Sequence, residues 1–127
     1  MDSAHVFRLL PRDGVLEIVQ SGAPEDLASA RAFLDAIDRA CADAGLTRLL
    51  FDNRATTPPA ADVRAAIIDW VVARTSGQLG AWMMAIVLES EMLAVRLNME
   101  AIANKSRHRA FGSTDEARAW LTRQRVR

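Results

Sequence analysis

One cysteine, one lysine, two histidines and no tyrosine are the first things this 127-residue chain is short of. With Cys41 alone there can be no internal disulfide, so a packed core has to hold the fold. Cys41 lies on the apolar side of a helical pattern and reads as a small buried hydrophobe. His5, Cys41 and His108 are far apart in sequence, so a structural zinc site is not expected, nor is any cofactor. Formal net charge is zero, which gives no overall field to draw in nucleic acid, and no nucleic-acid partner is expected. No run approaches the roughly 18 apolar residues of a membrane span. The N-terminal MDSAHVFRLLPRDG lacks a signal peptide's basic start and long apolar core, so the expected compartment is the cytoplasm. There is no Gly-x-Ser-x-Gly elbow. Gly77-Gln78-Leu79-Gly80 leads into a strand instead of joining a strand to a helix, unlike a phosphate loop. No catalytic residue is assigned, and the expectation is a protein that is not an enzyme.

What is present is an ordinary globular balance, half hydrophobic and a quarter charged. The length suits one domain over residues 1–127, large enough to bury about two-thirds of its unfolded surface. Charge is unevenly placed. From Lys105 onward, Lys105, Arg107, Arg109, Arg118, Arg123, Arg125 and Arg127 face only Asp115 and Glu116. Such an end could meet an acidic partner or an anionic lipid surface, or could simply be a solvated helix with arginines at its negative dipole end.

The apolar pattern predicts nine elements in the order β-β-α-β-α-β-α-β-α. His5 to Leu10 and Val15 to Gln20 flank Pro11-Arg12-Asp13-Gly14 and read as a hairpin. Leu27, Ala30, Leu34, Ile37 and Cys41 recur every three or four residues, the buried stripe of a helix that Gly45 stops. Asp35, Asp38 and Glu17 are expected to face solvent. Arg48 to Phe51 is a buried strand. Val63 to Arg74 is a helix with Trp70 on its apolar face. Trp82 to Leu88 is the most apolar strand and is expected in the middle of the sheet. Met92, Val95, Met99 and Ile102 mark a third helix, either packed in the core or offering an adaptable apolar surface. His108 to Phe111 is a short last strand. Ser113 and Glu116 form a capping box on a final helix anchored by Ala117, Trp120 and Leu121. The fold class is α/β: a mixed, mostly parallel sheet with four helices.

The stretch TRLLFDNRATTPPAAD, Thr47 to Asp62, holds the candidate site. After the strand, Asp52, Asn53 and Arg54 are read as a polar loop, and Thr57-Pro58-Pro59 as the start of the next helix with Thr57 as its cap. Sites in open α/β sheets form at the carboxyl ends of strands. Arg54 could bind an anionic ligand or a partner's acid with Asp52 orienting it, or the loop could be tied by its own Asx-turn with Arg54 on the surface.

The element order, the segment RLLFDNRATTPPAAD and the ending HRAFGSTDEARAWL resemble the SpoIIAA-like branch of the STAS/SEC14-like proteins. The resemblance implies a small βα sandwich of the anti-sigma-factor-antagonist type, working through a protein partner and dimeric, or holding an apolar ligand. It also implies a phosphoacceptor at Thr56 or Thr57. The family's Asp-Ser-Ser-Gly-type signature is replaced here by Asp52-Asn53-Arg54-Ala55-Thr56-Thr57-Pro58-Pro59. Pro58 removes an amide donor that would hold a phosphate, and Asp52 would repel one. The leading expectation is therefore a regulatory interaction domain without a phospho-switch. An apolar-ligand carrier, with the ligand between the sheet and the Trp70 or Met92–Met99 helices, is the alternative. A small enzyme using Asp52 and Arg54 is a third reading.

Overall fold

The computed structural model describes residues 4–76 and 82–123. The Gly77–Gly80 segment, Arg125 and Arg127 lie outside the described residues. The hairpin comes first: β1 (Val6–Arg12) pairs antiparallel with β2 (Val15–Gly22). Its turn is only Asp13-Gly14, both with positive φ (56° and 77°), the two-residue geometry that matches strand twist. The strands therefore run on through Pro11 and Arg12, which the sequence had placed in the turn.

The remaining elements are α1 (Leu27–Ala44), β3 (Arg48–Thr56), α2 (Ala61–Thr75), β4 (Met83–Val87), α3 (Glu91–Ala103), β5 (His108–Phe111) and α4 (Thr114–Arg123). The order is the expected one. The sheet runs β1-β2-β3-β4-β5, with every pair after the hairpin parallel. Helical crossovers are what parallel neighbours require. The most apolar strand, β4, lies next to the edge, and β3 holds the middle.

Two cores fill the two faces. On one, Leu16, Ile18, Leu49, Phe51 and Met84 pack against Phe33, Leu34, Ile37 and Cys41 of α1 and Trp70 of α2. On the other, Val15, Leu50, Met83, Ala85 and Val87 pack against Ala117 and Leu121 of α4. Strand alternation divides the apolar run Leu49-Leu50-Phe51 between them. Trp120 is half-buried, resting on Phe111 at 5.7 Å between ring centroids, so Leu121 and Ala117 are the deep anchors of α4.

Local chemistry sets the helix ends. Asp26 caps α1 by accepting from the Ser29 amide at 2.8 Å, which holds its carboxyl below the usual range, and Gly45 closes the helix in the left-handed region at φ 66°. The Ser113 hydroxyl accepts from the Glu116 amide at 3.1 Å and donates to that residue's carboxylate at 3.2 Å.

Two acids expected to face solvent are engaged by arginines, Glu17 buried and Asp38 still partly exposed. Glu17 is buried and accepts from Arg12 (2.7 Å) and Arg118 (2.9 Å), because strand alternation places it in the Val15 core and a buried carboxylate needs partners. Asp38 takes a bidentate contact from Arg74 (2.9 and 2.7 Å), whose guanidinium lies 4.4 Å from the Trp70 ring, and this pair ties α1 to α2. Arg109 spends its guanidinium on the Ser106 and His108 carbonyls, so part of the basic end serves the fold.

Helix α3 departs most from expectation. Only Ala94 and Ala101 of it are buried, while Met92, Val95, Met99 and Ile102 are exposed. Small residues bring α3 close to β5, and Asn98 completes the contact: its amide donates to the Ala110 carbonyl (3.0 Å) and accepts from the Ala110 N–H (2.6 Å). A side chain thus takes the place of a sixth strand on the open edge of β5.

Candidate functional site

The candidate residues lie at the carboxyl end of β3, but in a strand and not in a loop. β3 continues to Thr56 because β2 continues beside it: Asp52 pairs with Val19, and after a register shift Ala55 and Thr56 pair with Ser21 and Gly22. This changes what the residues can do together. Alternation sends Asp52 and Arg54 to the face shared with Leu50, and Asn53 to the face shared with Phe51. The structure brings Asp52 and Arg54 together and separates them from Asn53.

Asp52 and Arg54 are locked to each other. Arg54 donates from Nε to Oδ1 (2.9 Å) and from Nη2 to Oδ2 (2.8 Å), and its backbone N–H also reaches Oδ1 (3.3 Å). The Arg54 hydrogen bonds hold the Asp52 carboxyl below the usual carboxylate range, and Asp52 raises Arg54 in turn. Glu89 lines the same shallow depression and adds its charge at Arg54. Two carboxylates around one guanidinium leave the depression with an excess of negative charge, and the Arg54 guanidinium is already engaged by Asp52.

Asn53 belongs to the other face. Gln20 donates from its side-chain amide to Asn53 Oδ1 at 2.7 Å, and Gln20 Oε1 meets His5 Nε2 at 2.8 Å. His5 stacks edge-on to Phe33 at 4.6 Å. Asn53 also lines a cavity of about 190 Å³ between the sheet, α1 and α2, with Phe51, Trp70, Ile67, Ile86 and Arg64 among its walls. Gln20, His5 and Arg64 were not singled out by the sequence. A polar residue alternating with core residues, as Gln20 does after Leu16 and Ile18, was the one available signal.

Thr56 and Thr57 both line this cavity. The Thr56 hydroxyl donates to the Asn53 carbonyl (2.8 Å), and the Thr57 N–H donates to the Gly22 carbonyl (3.0 Å). Thr57 is not the cap of α2. The cap position is Ala60, without a side-chain hydrogen bond, because Pro58 and Pro59 keep the chain extended before the helix. A phosphate on Thr57 would thus stand outside the first helical turn.

His108, flanked by arginines, is shifted below its ordinary value by burial and then by Arg109, with Glu100 opposing. No grouping of metal-ligating side chains occurs among the described residues, and no helix there is long and apolar enough to cross a membrane.

No family model matches the chain, and no curated protein matches it. Solved structures do match. An uncharacterized protein of the DUF3478 family from Shewanella loihica, described as having a SpoIIAA-like fold, superposes with a TM-score of 0.69 over 94% of each chain at 11% identity. An anti-sigma factor antagonist from Mycobacterium paratuberculosis gives 0.62 over 94% of this chain and 95% of its own, at 16% identity. The anti-sigma factor antagonist SpoIIAA in its unphosphorylated form gives 0.57 over 96% and 100%, at 11% identity. The five-stranded mixed sheet with four helices is a SpoIIAA-like fold.

Proposed function

We propose that residues 1–127 form a single regulatory domain that acts in the cytoplasm by protein contact and not by catalysis. The observation that carries this reading is the match to anti-sigma factor antagonists over nearly the whole of both chains. The contact surface in this reading is the end of β3, where Asp52, Arg54 and Glu89 present an acidic patch to a basic group on the partner. Arg54 sets the patch's shape by holding Asp52. In this reading Thr56 and Thr57 are structural: the Thr56 hydroxyl donates to the Asn53 carbonyl, and Thr57 precedes Ala60, the cap position of α2. Phosphorylation of either is not part of the mechanism.

The test is quantitative affinity capture from the native cell, wild type against Asp52→Ala/Arg54→Ala. One protein recovered repeatedly by wild type and depleted about tenfold by the variant is the expected result, the equivalent of about 1.4 kcal/mol. Recovery of nothing beyond the bait contradicts the reading.

The cavity supports a second reading, a small apolar ligand. Its volume, about 190 Å³, slightly exceeds the roughly 150 Å³ of an engineered apolar cavity that admits benzene. Native mass spectrometry of freshly purified protein checks this. A co-purifying mass that disappears in Ile67→Trp supports a ligand, and bare protein in both removes it.

A further inference from the structure

Helix α3 carries a surface that neither the fold nor the β3 site explains. One flank is fixed to β5 through Ala94, Asn98 and Ala101. The opposite flank exposes Met92 (83%), Val95 (59%), Met99 (67%) and Ile102 (61%). Singly exposed apolar residues are ordinary, but a continuous stripe of four on one helix marks a contact surface. Their spacing of three, four and three residues is that of the seam along which two helices pack.

The charges beside the seam indicate what covers it. Glu91 stands at its N-terminal end and Lys105 just beyond its C-terminal end, both exposed. A second copy of this helix laid antiparallel sets Glu91 against Lys105 of the other copy, twice by symmetry. A parallel copy sets like against like at both ends. We propose that α3 pairs antiparallel with α3 of a second copy of this chain, Met92 packing by Ile102 and Val95 by Met99 about a two-fold axis. Zero net charge leaves no overall repulsion to oppose association. Arg96, on the outer flank, approaches its own copy near the axis, which weakens the pair; Glu100, one turn on, offsets part of that charge. A 13-residue helix is only about 20 Å long. The interface is therefore below the standard size for a permanent dimer and forms in the micromolar range. This pairing leaves the β3 end free and does not depend on the proposed partner there.

Sedimentation equilibrium of the purified chain from about 1 to about 300 µM tests it, a range that brackets micromolar dissociation. The expected result is a monomer–dimer equilibrium that Met99→Glu abolishes while its melting temperature stays within a degree or two of wild type. Glu91→Lys and Lys105→Glu should each weaken the dimer about fivefold, and the double variant should restore it. A monomer at every concentration overturns the proposal, as does a dimer indifferent to Met99→Glu. Failure of the double variant to restore association overturns the antiparallel arrangement. Sedimentation with vesicles of phosphatidylserine and phosphatidylcholine, by a chain that shows no dimer, would assign the stripe to a membrane surface instead.

Discussion

Cys41 sits on the buried face of α1, where burial and then the neighbouring Asp38 carboxylate push its thiol up to about 11, with Arg74 pulling the other way. Almost no thiolate exists near neutrality, and the sulfur is shielded from reagents. Native protein should therefore resist an aromatic disulfide reagent at neutral pH and release one equivalent only on denaturation; fast labelling of the folded chain would contradict this. His108 makes the opposite kind of statement about pH. Its folded value lies below the ordinary 6.5, chiefly through burial. The unfolded chain thus binds the proton more readily, and stability declines as pH falls through 6.5 toward the folded value. Denaturant midpoints from about pH 8 to about pH 5 should drop, and drop less in His108→Gln. Arg54→Ala should change the melting temperature little, since an ion pair whose arginine is solvent-exposed contributes at most about 1 kcal/mol. Marked destabilisation would mean that Arg54 supports the strand itself. Asp52, Asn53 and Arg54 were legible as candidates by residue type, but their division between two faces was not. That division depends on β2 extending to Gly22 and carrying β3 along with it, a pairing between segments far apart in sequence.

At the scale of elements, local signals were sufficient wherever one stretch decides its own structure. The presence of a hairpin turn at Gly14, though not its two-residue length, the Gly45 end of α1 and the Ser113 cap are each read from a few neighbouring residues. Periodicity was also sufficient to place α3, but not to say whether its stripe is covered. Met92, Val95, Met99 and Ile102 have the spacing of a core face, and the face that packs is instead made of alanines and Asn98. Burying small residues lets α3 approach the β5 edge closely enough for a side chain to bond the Ala110 backbone, a requirement that hydrophobicity alone does not reveal. The same distinction between size and burial applies in α4. Leu121 is fully buried in the Val15–Leu50 core, whereas Trp120 is half-buried against Phe111. Leu121→Ala should cost about 3 kcal/mol and Trp120→Ala about half of that, as read from denaturant titration. Equal losses would show that Trp120 is as deep an anchor as the sequence suggested.

For the whole molecule, the order of elements and the ending HRAFGSTDEARAWL made the SpoIIAA-like architecture legible before any coordinate. What they could not supply was the arrangement of charge on the surface. Glu17 turned inward to arginines and Asp38 paired with Arg74 between α1 and α2, while Asp52 and Glu89 gathered around Arg54 at the end of β3. In the proposed reading this end of the sheet is where a protein partner sits. Amide hydrogen exchange of the chain alone and saturated with the partner recovered by affinity capture tests it most directly. The expected result is added protection over Val19–Gly22, Asp52–Thr56 and Glu89, with the outer edge of β1 unchanged. Protection confined to β1, or none at the end of β3 despite saturating partner, would contradict it.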